Sequence, residues 1–480
     1  MRKLCLVSAL LVAVTLSAQS LEEQYRAFQQ AAEENYNSFR EAANARYAEF
    51  LRSAWEYFEQ TPGVPRPKED PVPPVIYKDE KKKEKDEVIE ATPVPQPTPK
   101  PVPQPVEPVI EDKQAPVEVM TVDFYGTKME FRFPSDDRLS LQSIQGERIA
   151  ENWEQVSKGH YENLLYDCVK ARDTYRLSDW AYLELLQMLT EAKYGASNEA
   201  VLLQAYLYAN SGYKMRIGAS PNGRIYLLVG SEYILYDRAF YSLSEGRFFP
   251  MTEVQGGLAI CQGTFEQEQP FSLMMDKEQL LMEQDEQAPL RKASSGLTAS
   301  CSVNRHLIDF YNNYPTGQYG EDFGTRWAAY ANTPMPERIR KELYPALQEG
   351  VRGVPEAQAV NKLLNWVQTA FQYEYDDKVW GHDRAFFPAE SLYYPYCDCE
   401  DRSILFSRIV RDLLDLDVVL LYYPGHLATA VHLNQDANGD YLVYGGKKFI
   451  VCDPTYIGAP MGRTMPDMDN ATAKVIPLIR

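Results

Sequence analysis

Cys399, His426 and Asp453, spread over the last third of the chain, have the types and order that nucleophilic thiol chemistry requires. Cys399 stands in the run Tyr396-Cys397-Asp398-Cys399-Glu400-Asp401-Arg402-Ser403, after which Phe406, Ile409, Val410 and Leu413 recur at helical spacing. A cysteine in the first turn of that helix faces unpaired amides and the positive dipole end, which predicts a lowered thiol pKa. His426 follows the strand-like run from Val418 to Tyr423 and the turn Pro424-Gly425, and Asp453 closes the run Phe449-Ile450-Val451-Cys452. An imidazole that takes the thiol proton and returns it to the leaving group, and an acid that fixes the imidazole's tautomer, complete such a trio. Consecutive members are 27 residues apart, room for a hairpin in each gap. His432 is the rival base and would share a face with His426 in an unbroken strand. Gly425 leaves room for a substrate beside His426, which favours the latter.

Further residues fit the same arrangement: Phe387-Pro388, Glu390-Ser391-Leu392, Asp398 to Ser403, Gly425-His426 and Asp453-Pro454-Thr455-Tyr456. On these residues, 331–480 resembles a transglutaminase-like domain of the papain-like cysteine-enzyme superfamily. The resemblance implies Cys399 as nucleophile, His426 as base and Asp453 as its orienter. It implies a thioester formed on a peptide or protein amide and resolved by water or an amine. Water, the default acceptor, gives a peptidase or amidase, and a lysine amine gives a crosslinking acyl transferase. A catalytically inactive envelope binding module that keeps the fold is the competing class. Members commonly carry Gly-Asp-Cys at the nucleophile, and here Cys397 replaces the glycine, so the local turn must accommodate a side chain. The Cys399 backbone amide is a candidate oxyanion donor. No cofactor or metal is expected: zinc held by Cys397, Cys399, Cys452 and a histidine is conceivable, but Cys-x-Cys is not the usual ligand separation. Asn434 to Asp440 imitates a calcium loop, yet Gly445 stands where a bidentate glutamate is required, and a tight hairpin turn at Asn438-Gly439 explains it instead.

The remaining chain must deliver and position this site. At 480 residues it exceeds a single ordinary core. Met1-Arg2-Lys3, an apolar run from Leu4 to Leu16 and small residues ending near Ser20 read as a signal peptide, 1–20. The expectation is an exported protein without a transmembrane segment: periplasmic, envelope-associated or secreted. Of the cysteines left, Cys261 with Cys301 and Cys397 with Cys452 could form bridges, or all could be reduced and buried. A net charge of −19 argues against a nucleic-acid partner, since phosphate binding needs concentrated positive charge.

From 21 to 60, Tyr25/Phe28, Tyr36/Phe39 and Tyr47/Phe50 recur every eleven residues, which predicts an amphipathic helix whose stripe calls for a partner: a second copy first, then the chain's own globular part or an envelope surface. Residues 61–117 are proline-rich and charged and read as a semi-rigid spacer. Residues 118–330 read as an α+β module that positions or screens substrate: a hairpin over 119–133, helices over 147–170, 178–194 and 198–210, then β-like segments. Val303 to Tyr314 reads as a strand, and 336–349 and 355–371 as helices starting at prolines. Tyr373, Tyr375, Trp380, Phe386 and Phe387 crowd the approach to Cys399; core packing is their ordinary role, and Trp380 is the one offered as a cleft wall. The fold class expected is α+β, with the C-terminal papain-like domain preceded by these three parts.

Overall fold

A computed structural model describes residues 39–68, 71–78, 85–98, 100–106 and 109–479. The signal-peptide reading at 1–20 and the first repeats, Tyr25 to Tyr36, lie outside the described residues. The architecture is α+β, with two main sheets and helices packed on them. Among the described residues no helix is long and apolar enough to cross a membrane.

The C-terminal sheet has seven strands in the order Val88–Ile89, Tyr441–Tyr444, Lys447–Cys452, His426–Val431, Val418–Tyr423, Lys474–Pro477, Thr92–Pro93. Its two central strands, Val418–Tyr423 and His426–Val431, are buried throughout, as their apolar, β-branched and aromatic runs demand. Pro424 and Gly425 (φ 74°) make the turn between them, the proline-then-positive-φ-glycine pattern of a type II turn, and pair Tyr423 with His426. The helix Cys399–Leu414 lies against these strands, with Phe406, Ile409 and Val410 buried. The helix Glu356–Ala370 packs beside it through Val360, Leu363, Leu364 and Val367.

The second sheet has six strands, ordered Trp55–Phe58, Leu258–Cys261, Met215–Ala219, Ile225–Ser231, Gly246–Pro250, Tyr241–Leu243. Helices Asp179–Tyr194, capped by Ser178, and Asn198–Asn210, capped by Ser197, follow the sequence signals closely. One hydrophobic core runs without interruption from Tyr47 through both halves to Ile476.

Several expectations require correction. The N-terminal helix does not continue to 60: it ends at 53, and Trp55–Phe58 pairs antiparallel with Leu258–Cys261. Trp-Glu-Tyr-Phe is a good strand former, and an open sheet edge outcompetes local helical spacing. Nor does the described part of its stripe await a second copy. Tyr47, Ala48 and Leu51 are buried in this chain's own core, Tyr47 stacking on Phe265 at 4.8 Å, although Phe39 stays half exposed. The proline-rich stretch is not a free spacer. Val88–Ile89 and Thr92–Pro93 add to the two edges of the C-terminal sheet, and Arg172 donates to the Pro103 carbonyl at 3.0 Å. A segment too poor in apolar residues to build a core can still pair with an existing edge, and proline is tolerated there.

The helix expected over 147–170 is two, Gly146–Lys158 and Glu162–Thr174, split at Gly159. Val303 to Tyr314 is mostly helix, Arg305–Asn312, because Asn304 caps it and Leu307, Ile308 and Tyr311 recur at helical spacing. Asn438-Gly439 is not the hairpin tip. Gly445 and Gly446, at φ 57° and 77°, turn between Tyr441–Tyr444 and Lys447–Cys452. Gly439 instead packs face to face with Gly462, where an added Cβ would come within 2.3 Å of the Gly462 Cα. All six described cysteines are free and buried, so neither bridge forms.

Candidate active site

Asp398 caps the helix that presents Cys399: its carboxylate accepts from Glu400 N at 3.1 Å and Asp401 N at 3.4 Å. Asp401 answers by accepting from Asp398 N at 3.2 Å, a reciprocal box that fixes where the first turn begins. Cys397, which stands where the resemblance would put a glycine, is not among the residues of positive φ. It sits in a short strand parallel to Gln372–Tyr373, with its thiol directed to the Gln372 carbonyl at 3.7 Å. No backbone reason therefore demands glycine at 397.

One turn on, Ser403 Oγ donates to the Leu427 carbonyl at 2.7 Å, and the Leu427 amide favours ionisation of the Cys399 thiol. Ser403, four residues on from Cys399 on the same helix face, thus ties the helix to the residue after His426. His426 Nε2 lies 2.8 Å from Asp453 Oδ2. The other Asp453 oxygen, Oδ1, accepts from Thr455 N at 2.8 Å and Tyr456 N at 3.2 Å. An ionised Asp453 can only accept, so Nε2 carries the proton and Nδ1 offers its lone pair. That Nδ1 is buried and has no hydrogen-bond partner. Cys399 and His426 line the same cavity of about 230 Å³. Cys399, His426 and Asp453 are 4%, 1% and 3% exposed, so these bonds lie in low-dielectric surroundings that strengthen them. His432 is set elsewhere, with Nδ1 2.9 Å from the Lys448 carbonyl, and is absent from the cavity wall.

The thiol's electrostatics differ from the sequence expectation. Burial pushes Cys399 well above the ordinary thiol range, Asp398 and Glu400 add to this, and the Leu427 amide opposes it. The dipole at one helix end is outweighed by desolvation and by nearby carboxylates. Cys399 therefore rests as a thiol.

Two buried residues hold the acid in place. Gln368 Nε2 donates to the carbonyls of Asp453 (3.0 Å), Tyr456 (2.8 Å) and Ala459 (3.0 Å), and its Oε1 accepts from Gly458 N. Arg402 donates to the carbonyls of Gln368 at 3.2 Å, Pro454 at 3.4 Å and Phe371 at 2.8 Å. The sequence singles out Arg402 only as part of the run after Cys399, with no role, and Gln368 not at all, although each is a polar residue inside an apolar helical stripe, which is a legible signal. Gln368→Ala strands three buried carbonyls and leaves a cavity, with an expected loss of roughly 2–4 kcal/mol in urea unfolding.

Acids crowd the cavity's rim. Asp376, Asp383, Asp398 and Glu400 line it, and Arg326, bonded to both oxygens of Asp383, lies 3.9 Å from Glu400. Asp376, Asp383 and Glu400 bring oxygens within 4.8 Å of one another, but that guanidinium already sits among them. Among the described residues, no cluster with metal-binding spacing unites Cys397, Cys399 and Cys452. Trp380 is not in the wall; it packs on Phe386 and Tyr394 under Arg384, while Tyr375 and Trp327 line the cavity.

Burial, reinforced by Glu400, pushes Asp376 up to about 8, and burial against the opposing Arg384 pushes Glu390 up to about 7. Both acids hold protons in the folded chain that the unfolded chain has released above pH ~4. Their contribution makes stability fall as pH rises from about 4 to about 8, so the urea midpoint is expected to be lower at pH 8.5 than at pH 5.5.

No protein-family model matches the chain, and no curated protein matches it.

Proposed function

We propose that the chain is an exported, transglutaminase-like cysteine hydrolase that cleaves amide bonds of peptides or proteins through a thioester on Cys399. The observation carrying this reading is the His426 ring: Nε2 is held by Asp453, Nδ1 is buried and unpartnered, and the residue lines the cavity that Cys399 shares. A buried nitrogen with an unused lone pair costs free energy unless something is gained by it, and the gain in this reading is a site that receives a proton.

In the proposed reaction His426 Nδ1 takes the Cys399 proton as the sulfur attacks the amide carbonyl. The tetrahedral intermediate collapses as the imidazolium protonates the departing amine. Water, deprotonated by the same nitrogen, then releases the acid and restores the thiol. Asp453 stays ionised and stabilises the imidazolium throughout.

One observation favours a second reading, a binding cleft without turnover: burial, Asp398 and Glu400 hold Cys399 in its thiol form. The two part in a substrate-profile assay of wild type against Cys399→Ala with a peptide library, with and without an amine donor. The enzyme reading expects cleavage that Cys399→Ala abolishes. A shift of product to the amine adduct would make the chain an acyl transferase, and peptide binding unchanged by Cys399→Ala with no cleavage would make it a binding module.

A further inference from the structure

The strands that lead to His426 and Asp453 do not by themselves fix the distance between the two side chains. Their ladder pairs Val431 with Ile450, Ala430 with Val451 and Thr429 with Cys452, and it ends there, three residues short of His426. Beyond that point His426 pairs with Tyr423, in the neighbouring strand on the side away from Asp453, and Asp453 leads into a loop. Something other than the sheet must set the two against each other.

Residues 71–78, from far earlier in the chain, touch both places. Val72 N donates at 2.9 Å to the carbonyl of Gly425, the residue before His426. Gly425 lies outside the hairpin ladder, and this amide gives its carbonyl a partner. Three residues on, Val75 and Ile76 pair in parallel with Tyr456 and Ile457, and Tyr77 N donates to the Ile457 carbonyl at 2.9 Å. The Tyr77 ring meets that of Tyr456 edge-on at 5.4 Å, and Val72, Val75 and Tyr77 pack with Tyr456, Ala459 and Met465 in a small core of their own. Tyr456 is the residue whose amide donates to Asp453 Oδ1 at 3.2 Å. The segment is thus a second support for the loop that Gln368 grips from its helix. Pro71, Pro73 and Pro74 have no N–H, so within 71–74 Val72 alone can donate. The same prolines restrict the unseated chain, so that little conformational entropy is lost on seating it. No residue of 71–78 belongs to the main core, so unseating the segment disturbs the two turns before it disturbs the fold.

Resting on the cysteine-hydrolase reading, we propose that residues 71–78 are a positioning strap for the catalytic pair. Val72 sets the turn that presents His426, Val75 to Tyr77 set the loop that presents Asp453, and the 2.8 Å contact between Nε2 and Oδ2 is held by this one extended run. The strap supplies no reacting group; it acts through His426 and Asp453.

The test compares three variants of the full chain with wild type. Val72→Pro removes the N–H that reaches Gly425, Val72→Ala keeps it, and Tyr77→Ala removes the ring that packs on Tyr456. Two quantities are read: the proton resonance of the His426–Asp453 hydrogen bond in protein labelled with nitrogen-15 at histidine, and the rate at which iodoacetamide alkylates Cys399. Val72→Pro and Tyr77→Ala are expected to lose that resonance or shift it upfield, and to alkylate about tenfold more slowly, because a small misplacement of a catalytic group is costly. Val72→Ala is expected to keep the resonance and to alkylate at close to the wild-type rate. Tyr77→Ala decides the matter if Val72→Pro does not fold, as monitored by thermal unfolding. A strap that served stability alone would lower the unfolding temperature and leave the resonance where it is. If His426→Ala slows alkylation, an unmoved resonance or unslowed alkylation in the folded variants overturns the inference and leaves the hydrolase reading standing. Equal effects of Val72→Ala and Val72→Pro overturn it as well. If His426→Ala does not slow alkylation, the hydrolase reading fails and the resonance alone decides the strap.

Discussion

His426→Ala is expected to lower acylation of Cys399 by about 10²–10⁴-fold, the range that a positioned general base contributes. The size follows from what the substitution removes. Cys399 is held as a thiol by burial and by Asp398 and Glu400, so little thiolate exists to react without help. In the proposed reaction the acceptor is the buried, unpartnered Nδ1 of His426, a residue that lines the same cavity. Raising the pH should partly rescue the variant, because hydroxide can then replace the base, whereas wild type should gain less. The fold should survive, since the helix and strand remain tied through Ser403 Oγ and the Leu427 carbonyl at 2.7 Å. Single-turnover acylation measured from pH 6 to pH 10 checks both statements, and parallel pH profiles for the two proteins would count against His426 as base.

Asp453→Asn is expected to cost about 10³–10⁴-fold through the tautomer rather than through charge alone. Oδ1 of Asp453 is engaged by the amides of Thr455 and Tyr456, which can only donate. An asparagine would therefore keep its carbonyl oxygen on those amides and turn its NH₂ toward His426 Nε2. A donor facing Nε2 requires the proton to move to Nδ1, the nitrogen that must accept from Cys399. The base would then be present, in place and already protonated. Asp453→Ala lacks this inverted donor, and its buried ring can take either tautomer. Asn at 453 should therefore be at least as damaging as Ala, although it is the closer replacement. Nitrogen-15 chemical shifts of the His426 ring in wild type and Asp453→Asn report the proton's position directly.

The sequence showed the parts of the site that chemistry writes into residue type. A cysteine at a helix mouth, a histidine after Pro-Gly and an aspartate closing a strand are each legible locally, and their order limits how they can meet. The hairpin that pairs Tyr423 with His426 follows from Pro424-Gly425. What was not legible depends on residues distant in the chain. The dipole argument at Cys399 used only its own helix, while burial and the crowd of acids around it set its resting state. The stretch over 61–106 has no apolar pattern of its own, so nothing local shows that it borrows sheet edges at Tyr441 and Lys474. The stripe around Tyr47 was visible, but its partners Trp153 and Phe265 are more than 100 residues away. Arg305–Asn312 was misread because its dense apolar run hid a 3.6-residue period that Asn304 sets in motion.

The account's central claim is a covalent bond between substrate carbonyl and the Cys399 sulfur. Acid-quenched intact and peptide-mapped mass spectrometry, after brief exposure of wild type and His426→Ala to a cleaved peptide, tests it most directly. The predicted result is an acyl adduct on Cys399 that hydroxylamine removes, abundant in wild type and nearly absent in His426→Ala. An adduct on another residue, or cleavage with no adduct that persists in Cys399→Ala, would contradict it.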